Sequence, residues 1–277
     1  MRYRLGNRAK LNIWTKILLG VMPLIILIFT YTHFSTERLK ENPNDKILPS
    51  ISKMYDSMQR YITPIERARG NEEKGDIKLL EDVKSSLYTL SVALSLSLFI
   101  AIVFGVLLGT YPLLHATFMP TVNLLSLIPP AATVPLLFVA FEPGYELSIV
   151  IIFIFVFFVF VKDIVHQLSQ VPSNLSVLLF TKGASELEIA KENFKMIIPG
   201  ILTSLKLNLP MAWVGLYFAE TLGAQEGLGY RTFILKRFMA HDVIIPYIVV
   251  VTLIAIVIYY MIELIIVKRY PWYHTGS

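Results

Sequence analysis

The residues of this chain that could do chemistry are few and widely spaced. None of the five histidines has another histidine four positions away, which is the spacing of a helical metal pair. Cysteine is absent, so the sequence excludes disulfides, thiol catalysis and cysteine-bound metal sites. The chain also lacks a phosphate-binding Gly-x-x-x-x-Gly-Lys-Ser/Thr loop and the Gly-x-Ser-x-Gly and His-Glu-x-x-His hydrolase motifs. We therefore expect no catalytic residue, no metal site and no cofactor on this chain, and no enzyme activity of its own.

Polar side chains interrupt one long apolar stretch, residues 200–222. An unpaired ionisable group inside a membrane costs at least a few kcal/mol, so such groups usually face a cavity or an interface. We expect Lys206 to extend its ammonium to the nearer interface, and Glu220 to be solvated or to cap a helix. The acid of the last apolar stretch, Glu263, is expected to be solvated. The candidates for lining a polar path from this stretch are Asn208, Trp213 and Glu220.

Composition places the chain among integral membrane proteins. Hydrophobic residues make up 55% and charged residues only 16%, and the apolar residues fall in runs of the roughly 20 needed to cross a bilayer. The net charge of +5 is explained by basic residues at the ends of these runs rather than by a nucleic acid partner. The sequence predicts an all-α protein with six spans, near residues 14–33, 87–110, 117–141, 146–163, 200–222 and 243–267.

Basic residues indicate the orientation of these spans. The N-terminal basic cluster and the basic residues after the fourth and sixth spans fall on one side, and basic residues favour the cytoplasm. Both termini are therefore expected to be cytoplasmic. The basic residues between the fifth and sixth spans fall on the other side and count against this orientation.

Prolines make the third span unusual. Each proline removes a backbone donor, and broken backbone at membrane depth is tolerated where protein surrounds it or where it lines a water-filled path. The alternative is a kinked helix whose hydroxyls bond to its own carbonyls. The fourth span is apolar all round, and we expect it to face lipid. The residues of the third span available to line a path are Asn123, Ser126, Pro130 and Thr133.

The remaining chain divides into an anchor, an outer loop and a core. Residues 1–34 are predicted to form a cytoplasmic N-terminus and a retained membrane anchor, because no small-x-small cleavage site follows the first span. Residues 35–86 form an outer loop too poor in apolar residues for its own core. Within it, residues 51–62 have apolar residues at helical spacing and predict a short surface helix, with a plain loop as the alternative. Residues 87–272 form the membrane core, and residues 273–277 form a tail.

A charged segment with a helical pattern, residues 183–201, lies between the fourth and fifth spans. A membrane protein gains little from such a segment unless a soluble partner docks on it. Gly183 allows a close turn, the polar residues suit a wet rim, and Pro199 is expected to end the helix at the membrane. We therefore predict a docking surface for a soluble partner within residues 172–199.

Three ordered segments resemble one family. Residues 183–201, which begin Gly-Ala-Ser and end Ile-Ile-Pro-Gly-Ile, resemble the cytoplasmic EAA loop of permease subunits of binding-protein-dependent ABC importers. Residues 125–141, LSLIPPAATVPLLFVAF, are similar to the proline-rich segment of the nitrate, sulfonate and taurine branch. Residues 219–230, AETLGAQEGLGY, are similar to the Ala-Glu-x-Leu-Gly-x-x-x-Gly-Leu-Gly-Tyr motif of that branch. Shorter matches are Leu48-Pro49-Ser50 and Pro271-Trp272.

The resemblance implies the architecture of a type I ABC importer permease, which moves a small polar solute of nitrate, sulfonate or taurine type by alternating access. It implies a cytoplasmic ABC ATPase dimer that binds ATP and Mg, a second permease copy, an outer solute-binding protein, and a place in the bacterial inner membrane. The residues that would couple the chain to the ATPase are Gly183, Ala184, Ser185, Leu187, Ile189, Phe194 and Pro199.

Some positions depart from the family pattern. Leu178 and Leu179 replace the two alanines before the loop glycine, and Ser126 stands where many relatives carry arginine. If a fixed cation receives an anion, its absence at position 126 weakens the inference of an anionic solute. Two other functions are therefore kept: a membrane scaffold or regulatory subunit with a permease-like fold and no transport path, and an intramembrane enzyme.

Overall fold

The computed structural model of the chain describes residues 12–43, 45–63 and 77–273. The N-terminal basic cluster, the charge-rich part of the outer loop from 64 to 76, and the predicted tail after Tyr273 lie outside these residues. The described part of the chain is helical and contains no strand, which confirms the predicted all-α class. The helices are α1 (Ile13–Glu41), α2 (Ile51–Ile62), α3 (Lys78–Thr110), α4 (Pro112–Leu125), α5 (Pro130–Ala140), α6 (Tyr145–Ser169), α7 (Ser173–Thr181), α8 (Glu186–Gly223), α9 (Leu228–Arg237), α10 (His241–Arg269) and a 3₁₀ turn at Pro271–Tyr273.

The chain forms two compact units. The first comprises Met1–Arg60 with Leu235–Pro246, and the second comprises Tyr61–Ile234 with Tyr247–Ser277. Within the described residues, five helices are long and apolar enough to cross a membrane, and the bent pair α4 and α5 is a sixth candidate. Several helices extend past the predicted spans, so the segment between α1 and α3 is shorter than the predicted outer loop.

In the first unit, the segment after α1 folds back along that helix. The hydroxyl of Tyr31 donates to the carbonyl of Pro49 at 2.8 Å, and that of Ser35 donates to the carbonyl of Leu48 at 2.9 Å. The N–H of Ile47, helped by the Arg38 guanidinium, holds the pKa of Asp45 below its ordinary value. These bonds fix the entry into α2.

Helix α2 confirms the short helix predicted at residues 51–62 and excludes the plain loop. The hydroxyl of Ser50 accepts a bond from the N–H of Lys53 and caps the helix. Met54 and Ser57 are buried, and the Ser57 hydroxyl donates to the carboxylate of Asp242. Ile51 lies on the exposed side of the helix.

Helix α6 is the centre of the second unit. Ile151, Ile152 and Phe160 are completely buried, and half of the most apolar part of α6 is buried. The expectation that this span faces lipid is therefore wrong. A helix that is apolar all round fits a protein core as well as it fits lipid, and here α3 and α8 cover α6.

Small residues let α3 and α8 approach α6 closely. A Cβ at Gly105 of α3 would lie 2.8 Å from the Ile164 side chain, and one at Gly215 of α8 would lie 3.0 Å from Phe155. Membrane helices associate by this kind of close backbone packing, since lipid supplies no hydrophobic force between them. Helix α3 runs parallel to α6, since Gly105 packs on Ile164 and Gly109 on Leu168, whereas α8 runs antiparallel to it. The two ends of the bundle are named the Tyr145 end and the Ser169 end, after the two ends of α6.

The pair α4 and α5 crosses this bundle as a broken span. The two helices meet at an angle of 93°. The chain enters α4 beside Gly109, which packs on Leu168 at the Ser169 end, and it leaves α5 toward Gly144, whose backbone packs on Gly223 at the Tyr145 end. A re-entrant loop would return to the end at which it started. The geometry therefore supports one crossing of the membrane by the pair α4 and α5.

Two buried carboxylates hold the junction between α8 and α9 at the Tyr145 end. Asp82 of α3 is fully buried and accepts bonds from the Arg231 guanidinium at 2.8 and 3.1 Å, from the Tyr247 hydroxyl at 3.0 Å and from the Gly227 N–H at 3.2 Å. The bonds to Asp82 raise the pKa of Arg231, which therefore stays charged.

Glu220 of α8 is the second of these carboxylates. It accepts bonds from the Ser86 hydroxyl at 2.5 Å and from the N–H of Gly229 at 2.6 Å, in the first turn of α9. Ser86 in turn accepts the N–H of Leu228 at 2.8 Å. Glu220 is only 2% exposed, so the solvated role is wrong and the capping role predicted beside it is confirmed.

We predict that Gly105→Ala destabilises the second unit by about 1–3 kcal/mol, because the new Cβ would collide with Ile164 on the neighbouring helix. Gly20→Ala is the matched control, since a Cβ at this helical position of α1 meets nothing within 4 Å. Thermal unfolding of the purified chain in detergent measures the difference. Equal midpoints for the two variants would contradict the close packing of α3 on α6.

Gly227→Ala should destabilise the α8–α9 junction by more than about 1 kcal/mol. Gly227 has φ +124°, and a Cβ would lie 2.5 Å from the Glu220 carboxylate. The control is Gly223→Ala, whose new Cβ would lie 3.4 Å from the Leu147 side chain, an ordinary van der Waals distance. Protease sensitivity after residue 223 and the unfolding midpoint report the effect. A control variant as unstable as Gly227→Ala would show that any change at this junction is harmful.

Candidate functional site

The break between α4 and α5 is caused by two consecutive prolines. Pro129 and Pro130 carry no N–H, so the helical bonds to the carbonyls of Leu125 and Ser126 cannot form. The carbonyl of Leu125 accepts from the N–H of Ile128 instead, in a tighter turn of 3.2 Å. Polar backbone is thereby exposed within an apolar crossing, as the sequence predicted for the third span.

The hydroxyls beside the break bond to nearby carbonyls. Ser126 donates to the carbonyl of Asn123 at 2.8 Å, and Thr133 donates to that of Pro130 at 2.7 Å. These local bonds pair Asn123 with Ser126 on one side of the break and Pro130 with Thr133 on the other. Bonds from hydroxyls to nearby carbonyls were predicted for the alternative, a kinked but continuous helix. Here such bonds occur although the helix is fully broken.

Helix α6 contributes a cation to this break. The ammonium of Lys162 lies 3.2 Å from the Ser126 hydroxyl and donates to it. From the sequence, the basic residues after the fourth span indicated only the orientation of the spans, and this contact was not predicted. The available signal was an adjacent Lys162-Asp163 pair directly after a long apolar run.

The next residue of α6 contacts α8. The Asp163 carboxylate accepts bonds from the Ser204 hydroxyl and, at 3.0 Å, from the Asn208 amide. Asn208 also donates to the carbonyl of Ser204 at 2.9 Å. Consecutive residues of α6 therefore connect the break on one side to the path candidate Asn208 on the other.

A separate ion pair joins α8 to α10. The ammonium of Lys206 lies 2.5 Å from the Glu263 carboxylate and 5.0 Å from the centre of the Tyr259 ring. The Lys206 side chain is 11% exposed. The expectation that Lys206 extends to the interface is therefore wrong, because an ion pair across two helices replaces the hydration that its ammonium was expected to need. The Glu263 side chain is 30% exposed, so it is paired and also partly solvated.

The other two path candidates of α8 lie within the protein. Trp213 is buried in the core, and its indole N–H has no hydrogen-bond partner among the described residues. Glu220 is occupied by the α8–α9 junction. A path role for these two residues stays a prediction, and none of the contacts described here supports it.

At the Ser169 end, a short helix that the sequence analysis did not identify presents apolar side chains to the surface. This helix is α7, on which Val177, Leu178 and Phe180 are 61%, 51% and 70% exposed. Leu187, at the start of α8, is 80% exposed. Hydrophobic side chains clustered on a loop outside the spans indicate an interaction surface.

The start of α8 is built by local signals. Gly183 adopts φ +83°, and Ser185 and Glu188 form a reciprocal capping box. Helix α8 then continues through Pro199 to Gly223, so the expectation that Pro199 ends the helix is wrong. Prolines are tolerated inside long membrane helices, where neighbouring groups satisfy the freed carbonyls.

The predicted docking residues differ in their exposure. Gly183, Ser185 and Leu187 are exposed, and Ala184, Ile189 and Phe194 are partly buried. Pro199 is buried inside α8. A cavity of about 400 Å³ lies between the end of α3 and the helices α7 and α8, and Ile189 lines it. Among the predicted docking residues, Ile189 therefore lines a concave region at the Ser169 end, and Pro199 lies deeper in the bundle.

Known proteins share most of this bundle. Residues 97–268 match the family described as binding-protein-dependent transport system inner membrane component. The taurine transport system permease protein TauC of Escherichia coli is 26% identical over 202 residues, which cover 72% of both chains. A putative ABC transporter permease of Methanocaldococcus jannaschii is 32% identical over 178 residues, 62% of this chain and 66% of that protein.

A third relative, the nitrate import permease protein NrtB of Leptolyngbya laminosa, is 23% identical over 181 residues, 65% of this chain and 63% of that protein. The family match begins inside α3 and ends inside α10, so it includes the broken span, α7 and the α8–α9 junction. The prediction of an ABC permease is confirmed, and none of these relatives supports the scaffold or the enzyme. The chain belongs to the family of binding-protein-dependent transport system inner membrane components, a family of multi-pass transport permeases.

Proposed function

We propose that this chain is the permease subunit of an ATP-driven importer, and that it forms the path of a small polar solute by alternating access. The observation that carries the proposal is the broken span, which places polar backbone and two hydroxyls inside an apolar crossing. A chain that only anchors partners has no need of such a break, which forfeits helical hydrogen bonds. Names of relatives that include taurine and nitrate support a small polar solute.

The path runs along the break between α4 and α5. Its residues are Asn123, Ser126, Pro130 and Thr133, with Asn208 on the far side of α6. Exposed apolar side chains at the break and on α5, among them Leu127 at 79% and Val139 at 88%, suit contact with a second permease copy beside the path.

The Ser169 end faces the cytoplasm and receives an ABC ATPase dimer, which binds ATP and Mg. Helix α7 and the start of α8 form the docking element, with Leu178, Phe180 and Leu187 as its apolar anchors. Gly183 and the Ser185 capping box fix the angle between α7 and α8, so a push on α7 is transmitted along α8. The Tyr145 end then faces an outer solute-binding protein, and the chain lies in the inner membrane of a bacterium with both termini in the cytoplasm.

We predict that Leu178→Gln with Phe180→Gln lowers the amount of bound ATPase at least tenfold, because buried apolar anchors dominate most protein interfaces. The matched control is Ser173→Gln with Asn174→Gln, which changes two exposed polar residues of the same helix. The chain is purified from membranes of its own host cells, and bound ATPase is quantified by mass spectrometry and Mg-dependent ATP hydrolysis. A wild-type chain that retains no ATPase would contradict the proposal and favour the scaffold.

Replacing the break by a regular helix should abolish uptake without preventing insertion. Pro129→Ala with Pro130→Ala restores two donors and removes a penalty of about 3 kcal/mol for each interior proline, so α4 and α5 can join. Pro120→Ala is the control, because Pro120 lies within α4 and does not break it. Solute uptake into proteoliposomes that contain the whole transporter measures the effect. Full uptake by the double variant would remove the break from the path.

A further inference from the structure

We infer that Lys162 is the cation that receives the solute at the break, and that the transported group is therefore an anion. This inference rests on the proposed function and deepens it. Position 126 is serine, so the sequence indicated no fixed cation at this place. The structure brings one from another helix, since the Lys162 ammonium donates to the Ser126 hydroxyl at 3.2 Å.

The charge of Lys162 is not neutralised within the described part of the chain. None of the ion pairs found there includes Lys162. The neighbouring carboxylate of Asp163 is bonded to Ser204 and Asn208 on α8. An ammonium has three donors, and the Ser126 hydroxyl uses one.

Lys206 provides an internal comparison. It also lies in a membrane-spanning helix, and the Glu263 carboxylate lies 2.5 Å from its ammonium. A lysine at membrane depth ordinarily has such a partner, because its charge is otherwise costly there. Lys206 is therefore a structural cation, whereas the ammonium of Lys162 has a neutral partner and is available to another ligand.

The surroundings of Lys162 also favour an anion. Helix α5 begins at Pro130, four residues after Ser126, and its amino-terminal end carries a partial positive charge. Lys162 is only partly buried and lies about seven residues, or roughly 10 Å, from the Ser169 end of α6. A small anion at the break can thus bind the ammonium, while the Ser126 hydroxyl keeps its bond to the Asn123 carbonyl.

The test is uptake of labelled solutes by the whole transporter in proteoliposomes, with a panel of nitrate, sulfate and ethanesulfonate as anions, taurine as a zwitterion and urea as a neutral solute. We expect Lys162→Met to raise the KM and so lower uptake of the transported anion about tenfold to a hundredfold. This is the loss expected for one charge-assisted hydrogen bond. Lys162→Arg should retain most of the anion uptake. The control is Lys206→Met with Glu263→Gln, which removes an intramembrane lysine together with its partner and should leave KM unchanged.

Moving the lysine from position 162 to position 126 distinguishes a role in binding the anion from a role in stabilising the fold. Ser126→Lys with Lys162→Ser keeps one cation at the break and should recover anion uptake to within a few-fold of the wild type. A structural role for Lys162, as a partner of the carbonyl end of α4, would instead lower uptake of every solute alike through kcat. That result, or an unchanged KM in Lys162→Met, would overturn the inference.

The outcomes also distinguish this inference from the proposed function. Uptake of urea alone by the wild type would overturn the anion site and leave the permease assignment intact. No uptake of any solute, from a complex that hydrolyses ATP with its solute-binding protein present, would contradict the proposed function itself and with it the anion site.

Discussion

The packing of α6 between α3 and α8 is the interaction on which the rest of the second unit depends. In lipid no hydrophobic force drives helices together, so close contact must come from shape. Glycines at 105 and 215 supply that shape by admitting Ile164 and Phe155 against bare backbone. Once α6 is fixed on both sides, Lys162 and Asp163 have defined positions, and each reaches a different neighbouring element.

A second constraint follows from the first. Every polar group in an apolar bundle needs a partner, and the described part of the chain meets this need differently at its two ends. At the Tyr145 end the carboxylates of Asp82 and Glu220 each accept several donors, which locks α9 onto α3 and α8. Nearer the Ser169 end the bonded groups are smaller, as where Asp163 accepts from Ser204 and Asn208 and where Lys206 pairs with Glu263. The end that is expected to face the ATPase therefore has the weaker polar network.

The sequence was sufficient to predict the features that depend on local pattern. The all-α class, the broken third span, the helix at residues 51–62 and the helical start of α8 follow from apolar periodicity and prolines. Burial of α6 could not be predicted, because an evenly apolar helix has no side that indicates its neighbour. Helix α7 was missed because its nine residues carry little helical pattern, and Pro199 was misread because tertiary contacts sustain α8 through it.

The polar pairs were beyond sequence analysis for a different reason. Lys206 and Glu263 are 57 positions apart, and Asp82 and Arg231 are 149 apart, so only the folded chain brings their charges together. The same holds for Lys162 and Ser126, which are 36 positions apart. A serine at position 126 was taken as the loss of a cation, whereas the side chain that matters comes from α6. The charge at a membrane site is a property of the space that several helices enclose, and one aligned position cannot establish it.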